Sequence, residues 1–389
     1  MSIRKRSRTG VVALAAAAIT ATVLTGPARA EVEAPPTSHQ ATKSAIDAAV
    51  AAGIPGITAE ARDANGVWKT ASGVGNRQTG ALRGKNDRFR VGHLTSTFVA
   101  TVLLQMEAES KLSLDDTVER HLPGVVTGNG NDGSKITVRQ VLNHSSGLFD
   151  YFSDSAYVDT YVLDGYLQHR YETMAHDKRL KVALAHAPVF QPGARHGFSN
   201  TNDVLAALIL EKIAGRSYET EVRKRIIEPL GLYATSNPGN SVFLPQPSGR
   251  GYSKPFFRTQ PNRIDDVTEV NGSQIWGSGD IISSANDLNR FFGALMRGQL
   301  LPAQQMQELK TTIVNPEMPF TSYGLGIEKL TLGCGTTLWY RDGGTVGWLS
   351  LVALTEDGSH QLTFNYNSDW RADDLIAILS AEFCQTPAS

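Results

Sequence analysis

From Phe89 to Val118 the chain reads FRVGHLTSTFVATVLLQMEAESKLSLDDTV, and no other stretch constrains the fold as strongly. Leu94, Phe98, Thr101, Val102, Gln105 and Met106 recur at helical spacing. That spacing predicts an amphipathic helix starting near His93 and ending before Lys111. Gly92 and His93 then fall where a loop turns into the helix. Unpaired N–H groups and the positive end of the helix dipole collect at such a junction, which makes it a natural place for reactive side chains.

The first thirty residues read as a leader rather than as part of the fold. Arg4, Lys5, Arg6 and Arg8 precede the short apolar run VVALAAAAITATVL, and Ala28-Arg29-Ala30 fits a small-residue cleavage site. The apolar run is short for a membrane-spanning helix, so export with cleavage is expected, without a stable membrane anchor afterwards. These residues carry five basic and no acidic side chains, so their removal takes the formal charge from −1 to −6. A mildly acidic remainder gives no reason to expect nucleic-acid binding. The 359 residues from 31 to 389 are enough to bury a sizeable core. Two cysteines, Cys334 and Cys384, are expected to pair in an exported chain, closing a loop worth roughly 4 kcal/mol in the chain-entropy model. They are too few for a zinc site, and neither a metal-ligand cluster nor a phosphate-cradling glycine motif is present, so no cofactor is expected.

The Pro- and Ala-rich stretch from Glu31 to about His39 predicts disorder, and Ala41 to Ala52 a helix. GITAEARDANGVWKTASGVGN alternates and breaks at Asn65-Gly66, the pattern of a hairpin. GVGN at its end is read as a turn. The aromatic-rich segment 148–190 reads as helices and loops. HGFSNTNDVLAALILEKIAGRS reads as a turn and then a helix closed by Gly215. A further helix starts near Ser284, capped by that serine with Asp287 three residues on. SYGLGIEKL and GTTLWY read as strands, and RDGGTVGWLSLVALTEDGSHQLTFNYN as a strand pair turning at Asp357-Gly358. Arg371 to Phe383 closes the chain as a helix.

The frame FRVGHLTSTF resembles the first motif, FRVGSxTKxF, of the penicillin-binding, serine DD-peptidase and class C β-lactamase-like proteins. KLSLDDTVERHLPG, ITVRQVLNHSSGL and RIIEPLGL resemble later stretches of the same family, so the likeness spans the chain after the leader. It implies an α/β fold of the penicillin-recognising type: an antiparallel sheet flanked by helices, with an all-helical insert over roughly 105–270 of a domain spanning 31–389.

That family transfers acyl groups through a serine and a lysine three residues apart on one helical face. His93 stands where the serine belongs and Ser96 where the lysine belongs. Phe198-Ser199-Asn200 stands in the frame of the second motif, Tyr-x-Asn. Arg341-Asp342-Gly343 stands in that of the third, His- or Lys-Thr/Ser-Gly, with a slip of one residue allowed by the glycine run. An imidazole cannot form the stable ester of an acyl-serine, and Phe198 has no phenol to move protons. Asp342 and Glu328 add negative charge where the resemblance implies carboxylate binding, while Arg341 retains a cation. Ordinary DD-carboxypeptidase or β-lactamase activity is therefore not expected. A thiol nucleophile is disfavoured too, since both cysteines lie outside these frames.

Asn200, Gly343 and Gly344 keep the cleft frame, and Tyr151, Phe149, Trp276 and Trp348 are candidate walls, although ordinary core packing explains each aromatic as well. His144 reads as structural and His196 as a rim residue. Three functions are compatible with this pattern. The first is a repurposed enzyme with His93 as general acid or base, paired with Asp342, and with Ser96 and Asn200 donating hydrogen bonds to a small molecule or peptide. Hydrolysis, cyclisation and isomerisation all fit it. The second is a catalytically dead protein that binds cell-wall peptide or a secreted metabolite. The third is a serine hydrolase with a rebuilt Ser96-His93-Asp342 triad. Adjacent strand residues point to opposite faces, so whether Arg341 or Asp342 meets His93 is open at this level.

Overall fold

The computed structural model describes residues 39–370 and 374–384. The expected leader and almost all of the Pro- and Ala-rich stretch lie outside the described residues, as does Arg371, the expected start of the last helix. His39, at the end of that stretch, is buried.

Helix α1 (Gln40–Ala51) leads into the hairpin of β1 (Gly56–Asp63) and β2 (Gly66–Gly73), which turns at the expected place. Helix α2 (Leu94–Ala108) is the motif helix. Short helices and loops follow, then α3 (Asn200–Ala214) and α4 (Ala285–Met296). The rest of the sheet comes last: β3 (Ile313–Val314), β4 (Thr321–Tyr323), β5 (Glu328–Thr331), β6 (Thr337–Thr345), β7 (Trp348–Leu354) and β8 (Gln361–Tyr366). Helix α5 (Leu375–Phe383) closes the chain.

The eight strands form one antiparallel sheet in the order β2-β1-β8-β7-β6-β5-β4-β3. One face is covered by α1 and α5, where Ile46, Ala49, Ile378 and Leu379 pack against Leu351, Leu362 and Phe364. The other face belongs to the larger core, with Phe98 of α2 and Phe291 of α4 stacked 3.8 Å apart between ring centres. Twelve of the fifteen residues of α2 are buried, so it is a central helix rather than the expected two-faced one. Its polar threonines are absorbed internally: Thr97 donates to the Gly326 carbonyl and Thr101 to the Thr97 carbonyl at 2.7 Å.

Local chemistry sets the other boundaries. Ser284 accepts from the Asp287 N–H at 3.3 Å and starts α4, while Gly215, at φ +66°, ends α3. The expected strand pair beginning at Arg341 is instead the end of β6 followed by β7 and β8. The missed turn lies at Val346-Gly347, where Gly347 takes φ +86°. Cys334 and Cys384 are bonded, with Cα atoms 5.9 Å apart, tying the β5–β6 turn to the end of α5.

Strand β6 and the start of α2 come together unusually closely. A Cβ on Gly343 would lie 2.4 Å from the Val91 carbonyl oxygen and 2.8 Å from the His93 nitrogen. Gly92 adopts φ +60°, and a Cβ there would meet the Gly344 carbonyl at 2.7 Å. This contact puts the third-motif strand beside His93.

Candidate active site

His93 sits at the cap position of α2. Its Nε2 lies 2.8 Å from Oδ1 of Asn200, the first residue of α3. The other end of that amide is fixed as well: Asn200 Nδ2 donates to both oxygens of Asp150, at 3.2 and 3.0 Å, and the Asn200 backbone N–H reaches Asp150 at 3.2 Å. Because a carboxylate takes the NH2 group, the amide oxygen must face the imidazole, so Nε2 carries the proton and Nδ1 the lone pair. Among the described residues Nδ1 has no hydrogen-bond partner. Burial, followed by the Arg341 charge, pushes the His93 pKa down to about 4, against the Asn200 bond and the Asp342 charge, which raise it. The ring is therefore neutral at neutral pH. Burial raises the Asp150 carboxyl above its ordinary value despite its three amide donors.

A cavity of about 400 Å³ opens beside His93, Asp150 and Asn200. Its apolar wall comes mainly from the helical segment, with Phe152, Tyr157, Tyr161 and Tyr166, and from Phe198, while Gly344 of β6 lines the opposite side. On the far side of His93 and Phe198 a second cavity of about 220 Å³ is lined by Arg341, Asp342, Glu328, His196 and Tyr323. Arg341 is buried there. It donates to Glu328 Oε1 at 2.7 Å and to Ser96 Oγ at 3.3 Å, and its guanidinium lies 5.1 Å from the centre of the Tyr323 ring. Tyr340 donates to the other Glu328 oxygen at 2.8 Å. Burial and then Arg341 hold the His196 ring at a pKa of about 4, and burial lifts Asp203, beneath this cluster, to about 8.

A Beta-lactamase family model matches residues 42–371, most of the chain. The protein belongs to the beta-lactamase family. Its structure resembles a D-stereospecific amidohydrolase from Streptomyces sp. with a TM-score of 0.84 and 46% identity, over 90% of this chain and 99% of that one. By sequence it is 24% identical over 302 residues to penicillin-binding protein 4* of Bacillus subtilis, covering 76% of this chain and 64% of that protein. It is also 26% identical over 262 residues to esterase EstB of Burkholderia gladioli, covering 60% and 64% respectively. The chain spans 52% to 64% of the length of such curated relatives. The α/β architecture, with its large antiparallel sheet and flanking helices, is that of the beta-lactamase and penicillin-binding proteins.

Within this beta-lactamase-family site the structure brings together His93, Asn200, Phe198 and Gly344 in the larger cavity, and Arg341, Asp342 and Glu328 in the smaller. The Phe198 ring meets the His93 ring edge-on at 5.1 Å. Of the two candidates at the third motif, Arg341 turns inward, whereas the Asp342 side chain is 46% exposed at the rim. The expected His93–Asp342 pair is not formed; the imidazole is held by Asn200 and Asp150 instead. The Ser96-His93-Asp342 triad is not assembled either, because Ser96 donates to the His93 carbonyl oxygen at 2.7 Å rather than to the ring. A side chain one helical turn on reaches back to the carbonyl of the cap, which also accepts from the Ser96 N–H at 3.0 Å, more easily than to the cap's side chain.

The expected walls need correction too. Tyr151 is fully buried with its hydroxyl 3.4 Å from Ser278, Trp276 is stacked on His176 and bonded to Glu219, and neither lines a cavity at His93. Trp348 is buried beneath Arg83, and Phe149 stacks on His186. Asp150 is the residue that the sequence reading missed. Its local signal was an aspartate capping the turn Tyr151–Ser153, through a bond from the Phe152 N–H at 3.1 Å. His144, at φ +54°, accepts from the Ser199 N–H at 3.2 Å and from Asn202 at 3.2 Å, holding the entry to α3 in the structural role expected of it.

Proposed function

We propose that this beta-lactamase-family protein is a hydrolase of amide or ester bonds that uses His93 as a general base without a covalent intermediate. The observation that carries the proposal is the Asp150–Asn200–His93 chain, which presents a neutral imidazole with its Nδ1 lone pair beside an apolar cavity. In this reading Nδ1 takes a proton from a water as the water oxygen bonds to the carbonyl carbon. The proton then passes to the nitrogen or oxygen that leaves as the tetrahedral intermediate breaks. Asn200 and Asp150 stabilise the imidazolium while it exists, and Arg341 favours its prompt deprotonation. His93 and Ser96 occupying the Ser-x-x-Lys frame, and the Ser96 hydroxyl committed to a carbonyl, argue against the acyl-serine route. The names of similar proteins support the bond type: a D-stereospecific amidohydrolase, an esterase and teichoic acid D-alanine hydrolases. The basic, apolar leader supports action outside the cell, on a peptide or small molecule.

The experiment is a screen of D- and L-amino-acid amides and esters with wild type, His93→Ala and Asp150→Asn. We expect turnover that falls at least 100-fold in His93→Ala, the scale of general-base catalysis, and falls to a smaller extent in Asp150→Asn. Fluorescent penicillin and fluorophosphonate should leave no adduct. The Ser96 hydroxyl, bound to the His93 carbonyl oxygen, is compatible with one other reading, a non-catalytic binder. Ligand binding without turnover, unchanged in His93→Ala, would select it.

A further inference from the structure

Away from His93, a third cavity of about 390 Å³ lies between α4, the end of β1 and the β7–β8 turn. Three arginines line it, Arg62, Arg290 and Arg297, and no carboxylate does. Residues 290, 294 and 297 fall on one stripe of α4 and its C-terminal cap, so Arg290 and Arg297 flank the small side chain of Ala294, which leaves the floor open. Arg62 faces them from β1.

The Arg290 and Arg297 guanidiniums are set in place by backbone carbonyls rather than neutralised. Arg290 donates to Gly231 at 2.9 Å and to Leu230, and Arg297 to Gly358 at 3.2 Å. Neither has an ion-pair partner among the described residues. Arg62 does, with Glu60 at 2.8 Å, but Lys69 shares that carboxylate at 3.0 Å, so the surplus stays positive. The Gln361 amide closes the back of the cavity; its nitrogen bonds the Gly358 carbonyl at 2.7 Å, and its oxygen is buried with no partner. Three like charges around one hollow repel each other, in a chain that is otherwise acidic beyond its leader. Arg290 and Arg297 retain N–H groups of the planar guanidinium that can match a phosphate, while the Nε and Nη2 of Arg62 are held by Glu60 and Asn286, each at 2.8 Å.

We propose that this cavity is a binding site for a phosphate-bearing ligand, with Arg290 and Arg297 gripping the anion from two sides and Arg62 adding charge. The hollow exceeds a single phosphate, so the ligand is a phosphorylated small molecule or a segment of a phosphodiester or polyphosphate chain.

The test is calorimetric titration of the mature protein at low salt with pyrophosphate, glycerol 3-phosphate and a short polyphosphate, repeated with sulfate present. Saturable binding of one site per chain is expected. It should weaken about tenfold or more in Arg297→Gln, the loss expected when a charge-assisted bond is removed. Arg62→Gln should show a smaller loss; Arg297→Gln should keep the wild-type melting curve, since its side chain is exposed, whereas Arg62→Gln, which removes a partner of the buried Glu60, is compared well below its own melting transition. A preference for glycerol 3-phosphate would assign a metabolite, and a preference for polyphosphate a polymer. No saturable binding to any of the three, or binding unchanged in both variants, would overturn the proposal. So would binding abolished equally by sulfate, which would mark a nonspecific anion patch.

Discussion

At the scale of single residues, His93, like His196, is an imidazole kept neutral in a site that also holds a buried arginine. Its burial and the Arg341 charge both penalise protonation, and the single bond to Asn200 does not offset them. The ring should therefore titrate near pH 4 by NMR, well below an ordinary histidine at about 6.5. Because a base works when deprotonated, turnover should be flat through neutral pH and fall only as pH drops through about 4. Removing the cation should raise the midpoint, and Arg341→Met combined with Glu328→Gln does so without stranding a buried carboxylate. A midpoint unmoved in that double variant would mean that Arg341 does not act on the ring. How much of this was legible in the sequence differs by residue. His93 and Asn200 announce themselves because a local frame surrounds each. Asp150 does not, because its partner Asn200 is 50 positions away and only the fold joins them. Of the two readings the sequence allows for Tyr151 and Trp276, wall or core, the core is the one found, and the sequence does not choose because an aromatic residue there looks the same whether it faces a cavity or the core.

At the scale of elements, the site depends on β6 lying almost in contact with the start of α2, and that is possible only where no Cβ intervenes. The frame RVGH and the run DGGT signal this from sequence, since glycine is the residue that permits close backbone approach. What the sequence could not fix was the facing of Arg341 and Asp342, because strand register past a glycine run is set by β7 pairing, Arg341 with Val352 and Asp342 with Leu351. Gly343→Ala would put a methyl 2.4 Å from the Val91 carbonyl, against backbone that cannot swing away. We expect a loss of ~1–3 kcal/mol by urea unfolding, the range for overpacking, and a displaced His93 with reduced turnover. Gly344→Ala is the control: the nearest atom to its Cβ would be Leu349 Cδ1 at 4.0 Å, so unfolding should be nearly unchanged. Equal losses in the two variants would show that close approach is not what position 343 requires.

At the scale of the whole molecule, the first and last helices close the outer face of the sheet, and a buried carboxylate pins them together. Glu382 of α5 accepts from Thr42 of α1 at 2.5 Å, meets the His39 ring nitrogen at 3.0 Å, and meets His360 of the β7–β8 turn at 2.7 Å. The Cys334–Cys384 bond fastens the same end of α5. Burial alone would raise the Glu382 pKa, but the bonds from His360 and Thr42 and the nearby His39 outweigh it, leaving the carboxyl below its ordinary 4.5. A carboxylate depressed in this way contributes stability above the unfolded-state value and loses it as pH falls through the lower folded-state value. Glu382→Gln keeps the shape and deletes the charge, so it should cost about 2 kcal/mol at pH 7, the scale of a charged hydrogen bond at a buried site. The gap between variant and wild type, followed as melting temperature from pH 7 to pH 3, should hold down to about the ordinary carboxylate range and close below it. A gap that stayed constant to pH 3 would show that Glu382 contributes packing rather than charge, and that the outer helices are held by the disulfide and the apolar core alone.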